Sequence, residues 1–161
     1  MKTLYIIRHA KSSWEFDVSD EKRPLNKRGL NDAALIGEKL TALLKPIDKI
    51  LCSPAERAHS TAKIILSYLD IPAEIFKIEP LLYDFSGNDV TKVIKNCSDD
   101  INTLLIFGHN HAFTSIANLY GDTYIDNLPT AGVIGIEFPV TSWKNIKEGK
   151  TVLKLYPKLL K

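Results

Sequence analysis

The 161 residues include only two cysteines, Cys52 and Cys97, and no apolar run of membrane-spanning length. One such pair in a chain this long is no disulfide framework, so a reducing compartment is expected. The apolar run near the start, Leu4-Tyr5-Ile6-Ile7, is cut off by Arg8 and is too short for a secretory signal, which makes a cytoplasmic location the expectation. Charge of one sign is lacking too, since 21 basic and 19 acidic side chains leave a net +2. That balance speaks against binding nucleic acid or a membrane through bulk charge, so any affinity for anions must come from local clusters. There is no G-x-x-x-x-G-K-S/T loop, no G-x-G-x-x-G and no H-E-x-x-H, which leaves those nucleotide and zinc sites without support. Nor does Cys52 open a C-x5-R phosphatase loop, because Arg57 stands five positions on and not six. Internal repeats and low-complexity segments are also missing. With 45% apolar and 25% charged residues, the chain has the composition of an ordinary globular protein and the length of a single domain, residues 1–161.

What is present is an alternation of strand-like and helix-like stretches. Thr3–Ile7 reads as a buried strand, followed by the polar run Asp17–Arg23, expected to be an exposed loop. Leu30, Ala33, Ala34, Gly37, Leu40, Thr41 and Leu44 recur at helical spacing, with Asn26 as N-cap and Lys45-Pro46 as the stop. Lys49–Cys52 reads as a second strand. Ser53-Pro54-Ala55-Glu56 then offers a capping-box serine and glutamate with proline at the first helical position, opening a helix that runs to Leu69. A third strand is expected at Glu74–Ile78 and a short helix at Asp89–Asn96. Further along come a strand at Thr103–Phe107, a helix at Ala112–Tyr120, and strands at Gly132–Phe138 and Thr151–Tyr156. This pattern predicts an α/β fold of three layers, a mainly parallel central sheet flanked by helices, with an antiparallel last strand allowed.

Ligands of such sheets bind beyond the carboxyl ends of the strands. The first strand ends on Arg8 and His9, the second leads to Arg57, and the fourth ends on Gly108-His109. Guanidinium and imidazole are costly to bury unpaired, so two of each at one rim are hard to explain as packing. Arginine offers a bidentate fork for phosphate oxygens, and histidine can act as a nucleophile near neutral pH. Each residue also has a plain reading: a surface helix arginine, or a hydrogen-bonded histidine at a strand end. His59, two positions after Arg57, falls on another side of the helix and is expected to be solvated. His109-Asn110-His111 is an H-x-H that could suggest a metal, but neither cysteine is ligand-spaced and nearby arginines would repel a cation. No metal and no cofactor are therefore expected.

These residues resemble a known family. Arg8-His9-Ala10-Lys11-Ser12 is similar to the R-H-G-x-S signature of the histidine phosphatase superfamily, also called phosphoglycerate-mutase-like, and nearest to its SixA-type phosphohistidine phosphatases. Arg23-Pro24-Leu25-Asn26 with Gly29, the segment Ser53 to Ala62, Gly108-His109-Asn110 and Pro129-Thr130-Ala131-Gly132 resemble four further segments in the same order. The resemblance implies a phosphoglycerate-mutase-like fold, with His9 as the nucleophile that becomes phosphorylated. It also implies that Arg8, Arg57 and His109 hold the phosphoryl group, with Ser12 as a hydroxyl contact and Arg23 bordering the pocket.

There are two departures. Ala10 replaces the signature glycine, a small change expected to be harmless. Larger relatives carry a glutamate general acid after the third strand, whereas here Tyr83 stands nearest that position, with Asp84 beside it as the candidate acid. The expectation is a phosphatase acting on phosphohistidine in a protein, or on a small phosphorylated substrate, through phosphorylated His9. One alternative is a small-molecule phosphomonoester phosphatase or mutase of the same superfamily. An alternative of another class is a non-catalytic phosphate-binding module. The sequence is silent on oligomeric state.

Overall fold

The computed structural model describes residues 1–161. In chain order the elements are β1 (Lys2–Arg8), α1 (Lys27–Leu40), β2 (Lys49–Cys52), α2 (Glu56–Leu66), β3 (Phe76–Ile78), α3 (Asn88–Lys95), β4 (Thr103–Gly108), α4 (Ala112–Tyr120), β5 (Val133–Phe138) and β6 (Lys150–Leu155). They form one six-stranded sheet in the order β3-β2-β4-β1-β5-β6. The pairs β1–β4, β2–β4 and β2–β3 are parallel, while β1–β5 and β5–β6 are antiparallel. The sheet is thus mainly parallel, and β5 is the strand whose direction is reversed.

Period-two alternation explains the three layers. Leu4 and Ile6 of β1, with Leu104 and Ile106 of β4, pack on one side against Val90, Ile94, Phe113 and Ile116 of α3 and α4. Tyr5 and Ile7, with Leu105 and Phe107, pack on the other side against Ala33, Ile36, Ala58 and Ile65 of α1 and α2. β1 and β4 are buried on both faces, which is why they read as continuous apolar runs.

Local boundaries differ from the sequence pattern at a few places. α1 stops at Leu40 and continues only as a turn, in which Leu43 N–H and Leu44 N–H both bond to Leu40 C=O. α2 ends at Leu66 rather than Leu69, and β3 keeps only Phe76–Ile78 because Ala73–Ile75 winds into a 3-10 turn. Asn26 caps α1 as expected, its side chain accepting from Gly29 N–H at 2.8 Å. Ser53 does not cap α2: the N-cap is Ala55, without a side-chain bond, and the Ser53 hydroxyl is used elsewhere. No helix is long and apolar enough to cross a membrane.

Candidate active site

The register of the parallel strands brings three chain segments to one level. Arg8 pairs with Gly108 and Cys52 with Phe107, so β1, β2 and β4 end side by side. The next residues carry the alignment onward: His9 N–H donates to Gly108 C=O at 3.0 Å and Ser53 N–H to Phe107 C=O at 3.1 Å. The reversed strand β5 starts at the same edge, and the turn before it is laced to β1. Ala131 N–H donates to the carbonyls of Arg8 and His9, at 3.1 and 3.0 Å, from a left-handed backbone with φ of 60°. Gly108 is required where it stands, since a Cβ there would lie 2.7 Å from the Phe113 ring.

The two histidines meet at this edge, with ring centroids 5.2 Å apart, and both are buried. His9 Nδ1–H donates to the Ala10 carbonyl at 2.7 Å, which leaves the lone pair on Nε2. Burial, then the charges of His109, Arg57 and Arg8, push its pKa down to about 3, against the opposing pull of the Ala10 carbonyl. His109 is also driven to about 3, by burial first and then by Arg57, Arg8 and Arg23, with Asp20 opposing. Both rings are therefore neutral at neutral pH. His109 Nε2 meets the Ser53 hydroxyl at 2.8 Å, and the Ser53 oxygen also accepts from Ala55 N–H. We assign the hydroxyl hydrogen to His109 Nε2, so that His109 presents Nδ1–H.

Three buried polar atoms of this cluster have no partner within the protein: Arg8 Nε, Arg57 Nε and His109 Nδ1. Each of these groups is held by its other atoms. Arg8 donates from Nη1 to the Leu128 carbonyl at 2.8 Å. Arg57 spends one edge of its fork on Asp20, giving Nη1 to the backbone carbonyl at 2.6 Å and Nη2 to the carboxylate at 2.9 Å. The arrangement leaves donors of two guanidiniums and one imidazole beside the neutral His9 ring, which suits a tetrahedral oxyanion.

A ring of contacts fixes these groups. Arg23 Nη1 donates to Ser12 Oγ at 2.6 Å, and its guanidinium lies 3.6 Å over the Trp14 ring. Asp20 also accepts from Arg23 Nε at 3.2 Å and from the Tyr83 hydroxyl at 2.5 Å. Burial would raise the Asp20 pKa, but Tyr83, Arg57 and Arg23 together hold it at about 2. Thr61 Oγ1 accepts Ala10 N–H at 2.9 Å and donates to the Arg57 carbonyl at 2.7 Å, tying β1 to α2. The segment from Arg23 to Gly29 is packed against the loop after His9. Asn26 N–H donates to the Lys11 carbonyl at 3.0 Å, and a Cβ on Gly29 would collide with that same oxygen at 2.1 Å.

The structure therefore gathers His9, His109, Arg8 and Arg57, with Ser12 and Arg23 linked to one another at their border. It gives Asp84 different work. Its carboxylate accepts from the N–H groups of Ser86, Gly87, Asp89 and Val90 and from the Ser86 hydroxyl, at 3.0–3.1 Å, and so anchors the start of α3. Burial would raise its pKa, but these donors outweigh that and lower it, which favours the ionised carboxylate. His111 is exposed at the start of α4, and His59 is half-buried against Phe76, 6.0 Å between centroids; neither enters the site. Asp20 is the residue that the sequence reading missed. It lies in the charged run Asp17–Arg23, of which Asp20–Lys22 forms a 3-10 turn rather than a featureless loop.

A model of the histidine phosphatase superfamily (branch 1) matches residues 4–83. An uncharacterized protein of Mycobacterium tuberculosis is 30% identical over 156 residues, spanning 91% of this chain and 96% of that protein. Among solved structures, the protein histidine phosphatase SixA in complex with tungstate superposes with a TM-score of 0.82 at 20% identity, covering 99% of both chains. The alpha-ribazole phosphatase of Shigella flexneri superposes with a TM-score of 0.67 at 19% identity, covering 96% of both chains. At these identities the structural likeness is one of fold.

Proposed function

The chain belongs to the histidine phosphatase superfamily (branch 1), and from that membership we propose that it hydrolyses protein phosphohistidine through a covalent phosphohistidine intermediate on His9. The observation that carries the reading is the His9 ring: neutral, its Nδ1–H committed to Ala10, its Nε2 lone pair beside two arginines and His109.

In the first step His9 Nε2 attacks phosphorus, the P–N bond to the substrate imidazole breaks, and that imidazole departs. Its second nitrogen takes a proton from solvent beforehand, so it leaves as a neutral ring. Arg8, Arg57 and His109 Nδ1–H take up the charge on the equatorial oxygens, the main contribution a protein makes to phosphoryl transfer. In the second step water attacks the phosphorus of phosphorylated His9. The P–Nε2 bond breaks and its electron pair returns to the ring, while the proton lost by water goes to solvent. Because Nδ1 keeps its hydrogen on the Ala10 carbonyl throughout, Nε2 leaves without needing a proton. No group of three metal-ligating side chains lies together, and neither step uses a metal.

One feature favours a phosphoramidate over an alkyl phosphate monoester. Asp84 is committed to α3, and Asp20 is an ionised partner of arginines, so no carboxylic acid carries a proton to a departing alkoxide. A binding module would have no use for a poised nucleophile.

The test is to incubate the protein with 32P-labelled phosphohistidine substrate, quench, and map the label. Acid-labile phosphate on His9 is expected, and His9→Ala should lose turnover by more than the ~10²–10⁴-fold of a lost acid–base helper while keeping its fold. Label on serine or cysteine, or an active His9→Ala protein, would refute the proposal.

A further inference from the structure

The site is bordered by a segment of which only Asp20, the anchor of Arg57, takes part in the arrangement described above. All eight residues from Trp14 to Glu21 are exposed. They alternate apolar Trp14, Phe16 and Val18, at 75%, 56% and 44% exposure, with acidic Glu15 and Asp17, and end on Asp20-Glu21. Both ends are fixed to the site, through Trp14 on Arg23 and Asp20 on Arg57. Across the site, the loop joined to Asp20 by the Tyr83 hydroxyl carries Phe85, 47% exposed and 5.1 Å from the His109 ring.

Single exposed apolar residues need no explanation, but a contiguous group around a functional opening marks a contact surface. Of the five strongly exposed aromatic rings, Trp14 and Phe85 touch residues of the site and Phe16 lies on the segment between Trp14 and Asp20; the others are Tyr68 and Tyr124. The electrostatics narrow the partner further. Between Trp14 and Glu21 there are four carboxylates and no basic residue, outside a site whose interior is cationic. Such a mouth repels a small polyanion and an anionic membrane, and admits a phosphoryl group carried on a neutral or basic surface.

We propose that Trp14–Glu21 is the docking surface for the protein carrying the phosphohistidine, and that it selects a partner surface that is apolar with basic flanks. The proposal rests on the phosphohistidine reading above. Affinity beyond the phosphoryl group comes from Phe16 and Val18 packing on the partner, and preference between partners from Glu15 and Asp17.

The experiment compares kcat/KM on three substrates: N-phosphoimidazole, a phosphohistidine peptide flanked by leucine and lysine, and one flanked by serine and glutamate. The unaltered protein should prefer the leucine–lysine peptide by at least about tenfold. The double variants Phe16→Ser/Val18→Ser and Glu15→Lys/Asp17→Lys should each cut that preference at least about fivefold, through KM, the effect expected of one interface residue. Hydrolysis of N-phosphoimidazole should stay unchanged in both. Equal turnover of the two peptides, or variants that slow N-phosphoimidazole as much as peptide, overturns the docking surface while leaving the phosphohistidine reading in place. Failure of the unaltered protein to hydrolyse N-phosphoimidazole at all overturns both.

Discussion

Asp20 and Arg57 form an ion pair of 2.9 Å in which the arginine side chain is buried and the aspartate is nearly half exposed. The pair is lopsided in purpose as well as in burial. One edge of the Arg57 fork is spent on Asp20, and this fixes where its unpartnered Nε points. Asp20→Asn should therefore lower kcat on every substrate by a similar factor, roughly 10²-fold for a misplaced donor. A loss confined to substrates with poor leaving groups would show instead that Asp20 delivers a proton. Asp20→Glu should restore part of the activity.

The histidine environments set the pH response. Both pKa values fall from the usual 6.5 to about 3, so an NMR titration should show no protonation of His9 or His109 near pH 6.5, and their titration should lie below pH 5. Stability follows the same sign. Between pH 6.5 and 3 the unfolded chain binds protons at these positions that the folded protein does not, so stability falls as the pH drops through that window. Denaturant melts at pH 7 and pH 5 should show the lower midpoint at pH 5, and a His9→Ala/His109→Ala protein should show a smaller difference.

Leaving-group chemistry distinguishes a site with a proton donor from one without. Rates across a series of substituted phenyl phosphates should fall steeply as the phenol pKa rises, and alkyl phosphates should be poor substrates. A flat series would mean that a side chain protonates the departing oxygen.

Thr61 joins the segment after His9 to α2 with a single hydroxyl. Thr61→Val keeps the shape but strands the buried Ala10 N–H, at a cost of about 1–3 kcal/mol. The expected outcome is a lower melting temperature with reduced kcat, while Thr61→Ser retains most of both. A Thr61→Val protein as stable as the parent would mean that the loop finds another acceptor.

The central groups were legible because strand ends are legible. Runs such as Leu4–Ile7 and Thr103–Phe107 can only be buried, and the polar residues directly after them must face the sheet edge. Asp20 was not legible, since one carboxylate among several in an exposed run carries no mark of which will turn inward. Ser53 was misread because a serine before Pro-Ala-Glu looks like a capping box, whereas its hydroxyl serves His109. Asp84 did carry a usable signal: aspartate followed by Ser86, Gly87 and Asn88 before a helix is a turn that bonds its own downstream amides.

β1 lies in the middle of the sheet although it is the first strand of the chain. Its neighbours are Thr103–Gly108 and Val133–Phe138, and the turn that holds the Arg8 and His9 carbonyls ends only at Gly132. Pairings this distant in sequence form late, because the loop between them must first be closed. The surroundings of His9 thus depend on Gly108 and Ala131, both synthesised long after it. A chain lacking β5 would keep Arg8, His9, Arg57 and His109 but not the strand beside β1 that completes their edge of the sheet, so turnover should report on completed folding rather than on any partial state.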